Sequence, residues 1–69
     1  MSKTFNSTFG KNLRYERKKR NLTISDIADK TYISEVYIGC LERGSKKPSL
    51  EVLFMFCDLF GLTPNDLLL

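Results

Sequence analysis

The side chains of this 69-residue chain that could do chemistry are mostly cations and hydroxyls. Eleven Lys and Arg stand against eight Asp and Glu, and histidine is absent. Nucleophilic catalysis needs a nucleophile beside a base, and metal-free acid–base work needs clustered acids. Here the acids are scattered and no imidazole exists, so no catalytic arrangement can be assembled and an enzyme is not expected. Cys40 and Cys57 have neither CxxC spacing nor histidine partners, so no metal or other cofactor is expected. In a reducing compartment they read as ordinary thiols. The chemistry left is recognition of anions.

The charge is unevenly placed. Residues 1–20 hold seven basic residues against Glu16 alone, whereas residues 50–69 hold only the acids Glu51, Asp58 and Asp66. The N-terminal third suits a polyanion and the C-terminal third should face away from it. A solvated helix face without a partner would give the same pattern, so charge alone does not decide. No apolar run approaches the ~20 residues needed to cross a bilayer, and no signal peptide opens the chain. A cytoplasmic protein that makes no membrane contact is the expectation.

The elements that must position these groups are all helical: five helices and no strands, in one domain over 1–69, with residues 1–6 frayed. The first helix runs from about Ser7 to Arg20, with Phe9 and Leu13, and Glu16 or Arg17, at helical spacing on one side. Lys11, Arg14 and Lys18 fall on another side, and Asn21 is a left-handed stop. T-I-S-D at Thr23–Asp26 signals an N-cap with an acid three residues on, opening a helix to about Lys30 that turns Ile27 and the small Ala28 inward. Ser34 caps a third helix, Glu35–Arg43, with Ile38 and Leu41 inward, Ile33 plugging the corner and Gly44 as a left-handed stop. Two helices this short and tightly joined, over about 23–43, must cross at a large angle. That shape is a helix-turn-helix, whose second helix fits a DNA major groove.

After the basic loop Ser45–Pro48, Ser49 caps a fourth helix, Leu50–Phe60, stopped by Gly61. Thr63-Pro64 opens a short fifth helix carrying Leu67. The fourth helix has more apolar surface than one core uses. Leu50, Leu53, Cys57 and Phe60 form one stripe; Val52, Met55 and Leu59 form a second, with Phe54 and Phe56 beside the seams. A monomer would leave the second stripe wet. With Leu68 and Leu69 it reads as a surface for a second copy of the chain, although scattered surface apolar residues are common.

From Phe9 to Leu68 the chain resembles the Cro/CI-type helix-turn-helix domain, the XRE family of the lambdoid phage repressors. Carrying the resemblance are Leu13, Arg17, Leu22-Thr23, Ile27-Ala28, Ile33-Ser34, Ile38, Leu41-Glu42-Arg43-Gly44, Pro48-Ser49, Leu53 and Phe60-Gly61-Leu62. It implies a compact five-helix, lambda-repressor-like all-α fold, sequence-specific binding of double-stranded DNA, and a symmetric homodimer on a palindromic operator. It makes Arg17 and Glu42 a structural ion pair. It places Ser34, Glu35, Val36, Tyr37 and Cys40 where family members reach base edges or nearby phosphates. Tyr37 would hydrogen-bond a phosphate or base, Val36 would touch a thymine methyl, and Glu35 would accept from cytosine; Glu35 equally suits a helix start. Phosphates would be held by the N–H groups around Thr23 and Ile24, the hydroxyls of Thr23 and Ser25, and Arg43, Lys46 and Lys47, with Lys11, Arg14 and Lys18 from the first helix.

Three positions depart from the family. Ile24 stands where glutamine is frequent. Tyr32 stands where the turn usually has glycine, and a left-handed non-glycine costs about 1 kcal/mol, so another path is expected there. Glu35 and Val36 replace a more usual polar, donor-bearing pair. The leading reading is a transcriptional regulator, a repressor, without a small-molecule effector. The alternative is a helix-turn-helix module that has turned to holding a protein partner.

Overall fold

The computed structural model describes the backbone of residues 2–69 and the side chains from Phe5 onward. Five helices follow one another: α1 (Ser2–Lys19), α2 (Ile24–Thr31), α3 (Glu35–Arg43), α4 (Leu50–Phe60) and α5 (Pro64–Leu68). Among the described residues there is no strand, and no helix is long and apolar enough to cross a membrane.

Local chemistry sets most boundaries. Thr23 and Asp26 form a reciprocal capping box: the Thr23 hydroxyl accepts from Asp26 N–H at 3.0 Å, and the Asp26 carboxylate accepts from Thr23 N–H at 2.9 Å. The hydroxyls of Ser34 and Ser49 accept from the backbone of Tyr37 and Val52, each at 3.1 Å. Asp66 closes the start of α5 on Thr63. Asn21, Gly44 and Gly61 are left-handed, as the stop positions require. The first helix begins at Ser2 and ends at Lys19, so most of the stretch expected to fray is helical, and Met1 lies outside the described residues.

The turn between α2 and α3 corrects one expectation. Tyr32 does adopt the left-handed conformation, with φ +63°, and the residue is 96% exposed. Three anchors hold it there: Tyr32 N–H donates to Ala28 O, the buried Thr31 hydroxyl donates to Ile27 O, and that hydroxyl accepts from Ile33 N–H. Ile33 packs against the core from the corner. Together these outweigh a strain of about 1 kcal/mol.

The core joins Phe9 and Leu13 of α1, Ile27 of α2, Ile38 and Leu41 of α3, Leu53, Phe56, Cys57 and Phe60 of α4, and Leu67 of α5. The inward stripe of α4 is therefore shifted from the expected one. Phe56 is fully buried, while Leu50, at the first helical position, is 71% exposed. Val52, Leu59 and Leu68, expected to be wet, are half-buried and pack against the core, and Met55 is half-buried. Of the surface assigned to pairing, only Leu69 is fully open; the large exposed side chains nearby are Leu50 and Phe54.

Helix α1 crosses the end of α3 at backbone contact. A Cβ on Gly10 would overlap the carbonyl oxygens of Leu41 and Glu42, which explains a glycine in mid-helix despite its cost of about 1 kcal/mol relative to alanine. Polar residues of α1 and of the turn just after it bind other helices' ends. Asn12 donates to Leu67 O at 2.9 Å, and Arg20 donates to Phe60 O at 2.9 Å while its guanidinium lies over the Phe60 ring. Both satisfy carbonyls that a helix end leaves without partners.

Candidate nucleic-acid interface

The orientation of α3 is set from behind by an ion pair. Arg17 Nε and Nη2 donate to Glu42 Oε2 and Oε1 at 2.6 and 2.9 Å, and Nη1 donates to Leu22 O at 2.8 Å. The two side chains are only 11% and 6% exposed. The hydrogen bonds to Glu42 hold the Arg17 guanidinium above its ordinary pKa. Three fixed donors lock the last turn of α3 to α1 and to the chain entering α2, and the burial of the guanidinium keeps it part of the scaffold.

The opposite side of α3 is bare. Glu35 and Val36 are exposed, Val36 at 77%, and Cys40 is partly open. Ile24, Glu35, Val36, Gly39 and Arg43 line one shallow groove between the start of α2 and α3. Arg43 folds back along its helix. Its Nη1 would lie 3.1 Å from a Cβ on Gly39, and its Nη2 donates weakly to Cys40 Sγ at 3.5 Å. With no side chain at Gly39 the guanidinium rests there unhindered; an added methyl would ask it to give by a few tenths of an ångström. Arg43, assigned from the sequence to the phosphate set, thus shares the groove of Glu35 and Val36.

Tyr37 does not share that face. It is half-buried against the core, and lines a separate cavity with Phe5, Lys47, Pro48, Leu50, Leu53 and Leu68. The physical reason is its register. One residue beyond Val36 turns a helical side chain by about 100°, which carries Tyr37 round toward the loop before α4. Ser34 precedes the helix, and its hydroxyl oxygen is engaged in capping while the O–H is free to donate outward.

The start of α2 is more occupied than expected. The capping box consumes Thr23 N–H, Asp26 N–H and the accepting side of the Thr23 hydroxyl. The N–H groups of Ile24 and Ser25, with no carbonyl four residues back in the helix, stay open to an anion. Asp26 brings its own negative charge there. The hydrogen bonds from Thr23 N–H, and then from the Thr23 hydroxyl, hold its carboxyl below the usual range. The Ile24 side chain packs partly on the core and forms the groove's apolar wall.

The basic loop is held at both ends. Ser45 N–H and Oγ both donate to Cys40 O, at 3.0 and 3.1 Å, and Pro48 is buried. Lys46 and Lys47 between these anchors are exposed. Lys11, Arg14 and Lys18 are exposed on α1. On α1 the helical repeat sets Lys11 and Lys18 nearly opposite Phe9 and Leu13, and no contact brings them to the groove. Cys57 is buried; burial first, then Asp58 and Asp66, push its thiol pKa up. Sequence reasoning missed Gly39, Gly10, Asn12 and Arg20. For the two glycines a signal existed, since glycine inside a helical pattern commonly marks a packing constraint.

The sequence model of the helix-turn-helix family matches residues 13–67. The chain is similar to the HTH-type transcriptional regulator DdrOP3 of Deinococcus deserti, at 45% identity over 56 residues, 81% of this chain and 43% of that regulator. It is also similar to an uncharacterized HTH-type transcriptional regulator of Methanocaldococcus jannaschii, 36% identical over 55 residues, covering 80% of this chain and 83% of that one. Among solved structures, the DNA-binding domain of BldD superposes over 100% of both chains with a TM-score of 0.87 at 25% identity. The chain spans less than half the length of the Deinococcus relative.

Proposed function

The chain belongs to the helix-turn-helix family, and from that premise we propose that it is a transcriptional regulator that binds double-stranded DNA through the outer face of α3. The observation that carries this reading is the bare groove itself. It is rigidly backed by the Arg17–Glu42 pair and bordered by the open N–H groups of α2, with the cationic loop of Lys46 and Lys47 beyond the end of α3. Glu35, Val36 and Cys40 would face base edges, with Ser34 donating its O–H from the helix start. Ile24 and Ser25 N–H, Lys46 and Lys47 would hold phosphates, which position the protein without reading sequence. The ring of Tyr37 belongs to the support of the loop rather than to base reading. Lys11, Arg14 and Lys18 contribute long-range attraction.

The regulator would act as a homodimer on a palindromic operator in the cytoplasm, and repress by occupying a promoter. It uses no cofactor and performs no catalytic step. The pairing surface would be the outer side of α4 and the chain end, where Leu50, Phe54 and Leu69 are exposed. The test is selection of bound duplexes from a random pool. Two half-sites about one helical turn apart are expected; a pool without enrichment would sink the proposal. The same exposed apolar residues, with Glu35 at the start of α3, favour a second reading, a module that holds a protein partner. Absence of binding to random duplex even at low salt would select it, whereas a steep loss of affinity with salt selects DNA.

A further inference from the structure

We infer that Arg43 reads a guanine, and that Gly39 is present so that it can. The inference rests on the DNA-binding reading above and adds a specificity-determining residue to it. At the last position of α3, an arginine extended away from its helix would carry its guanidinium out of the groove. Here the side chain runs back one turn instead, across Gly39, to Cys40 Sγ, and forms a wall of the groove that holds Glu35 and Val36. No carboxylate pairs with it: the ion pairs among the described residues join Arg17 to Glu42, and Lys19 and Arg20 to Glu16. Its one side-chain partner among the described residues is a weak sulfur acceptor, so most of the five guanidinium N–H groups are free there.

A planar fork of this kind matches O6 and N7 of guanine in the major groove, and no other base offers two acceptors there. A lysine or an arginine on the basic loop gives charge without such alignment. The thiol of Cys40 restrains the fork before DNA arrives, so less side-chain freedom is lost on binding. A Cβ at position 39 would come within 3.1 Å of Nη1 and shift the guanidinium by a few tenths of an ångström. The glycine therefore couples to recognition although it offers no contact of its own.

The experiment is duplex selection followed by affinity measurement for the wild-type chain, Arg43→Gln, Gly39→Ala and Lys46→Ala, with helical content checked by circular dichroism. The wild type should enrich one guanine per half-site that Arg43→Gln exchanges for adenine, since glutamine matches adenine in the same bidentate way. On the guanine site, Arg43→Gln should lose about ten- to a hundred-fold in affinity, the range expected for one bidentate base contact. On random duplex it should lose no more than Lys46→Ala does. Gly39→Ala should stay folded and lose discrimination at that one position. A loss for Arg43→Gln that is equal on all sequences, with base preferences unchanged, would make Arg43 a phosphate anchor and overturn the inference while leaving DNA binding intact. A wild-type chain that binds no duplex would overturn both.

Discussion

An arginine and a glutamate lie on each side of α3, and the two sides put them to opposite use. On the inner side Arg17 and Glu42 meet in a bidentate pair with almost no solvent contact. On the outer side Arg43 and Glu35 line one groove and, among the described residues, are not paired with each other or with any other side chain of opposite charge. Burial makes the difference. Two charges removed from water must satisfy each other and become part of the scaffold. Two left in water keep their donors and acceptors for something else. Residue type therefore says little about role until the helix face is known.

The largest effect that could break this comparison is expected at Glu42. Glu42→Ala leaves Arg17 charged and buried without its partner, and should destabilise the fold by about 3–5 kcal/mol in chemical denaturation. A loss below ~1 kcal/mol, the worth of a surface pair, would show that the two sides of α3 are not different in kind. Gly10→Ala should come next, at about 2 kcal/mol, because the added methyl overlaps backbone that cannot move like a side chain. A stability equal to the wild type, measured by thermal melting, would mean that α1 and α3 separate easily.

Thr23→Ala should cost about 1 kcal/mol through the lost cap, and it sharpens the comparison at the groove's edge. The Asp26 carboxyl is held below its ordinary value by Thr23. Its contribution is therefore fully present above the unfolded carboxylate pKa of about 3.9, and is lost as pH falls through the lower folded value. The acid limb of a stability–pH curve should flatten in Asp26→Asn, which removes the titrating carboxylate, and only in part in Thr23→Ala, which keeps the backbone N–H that is the larger cause; an unchanged limb in Asp26→Asn would refute the capping box as its source. Smallest in stability is Lys46→Ala, within about 0.5 kcal/mol. Its effect belongs to binding: affinity should drop about equally on every duplex, and the salt slope should fall by about one. A loss confined to one sequence would move Lys46 from the phosphates to the bases.

Much of this molecule is legible without coordinates, and the legible part is of one kind. The starts of α2, α3, α4 and α5 and the stops at Asn21, Gly44 and Gly61 all follow from residues within four positions of one another. The beginning of α1 was not legible, because its first residues lack a cap signal and are polar. Tyr32 was misread for a related reason: its local preference opposes the left-handed turn, and the hydrogen bonds of Thr31 and the packing of half-buried Ile33 on the core prevail. For the candidate interface, the segment was readable and the face was not. Val36 and Tyr37 are neighbours in sequence, yet one looks outward and the other leans on the core.

The order of helices, their caps and the basic loop were written in the chain itself, because capping and turn geometry are decided by hydrogen bonds between near neighbours. Tertiary structure alone decided that Phe56 replaces Leu50 in the core, that Tyr37 leaves the groove, and that Arg43 enters it over Gly39. Those outcomes depend on where helices distant in sequence cross, and on which side chains the crossing leaves without a neighbour.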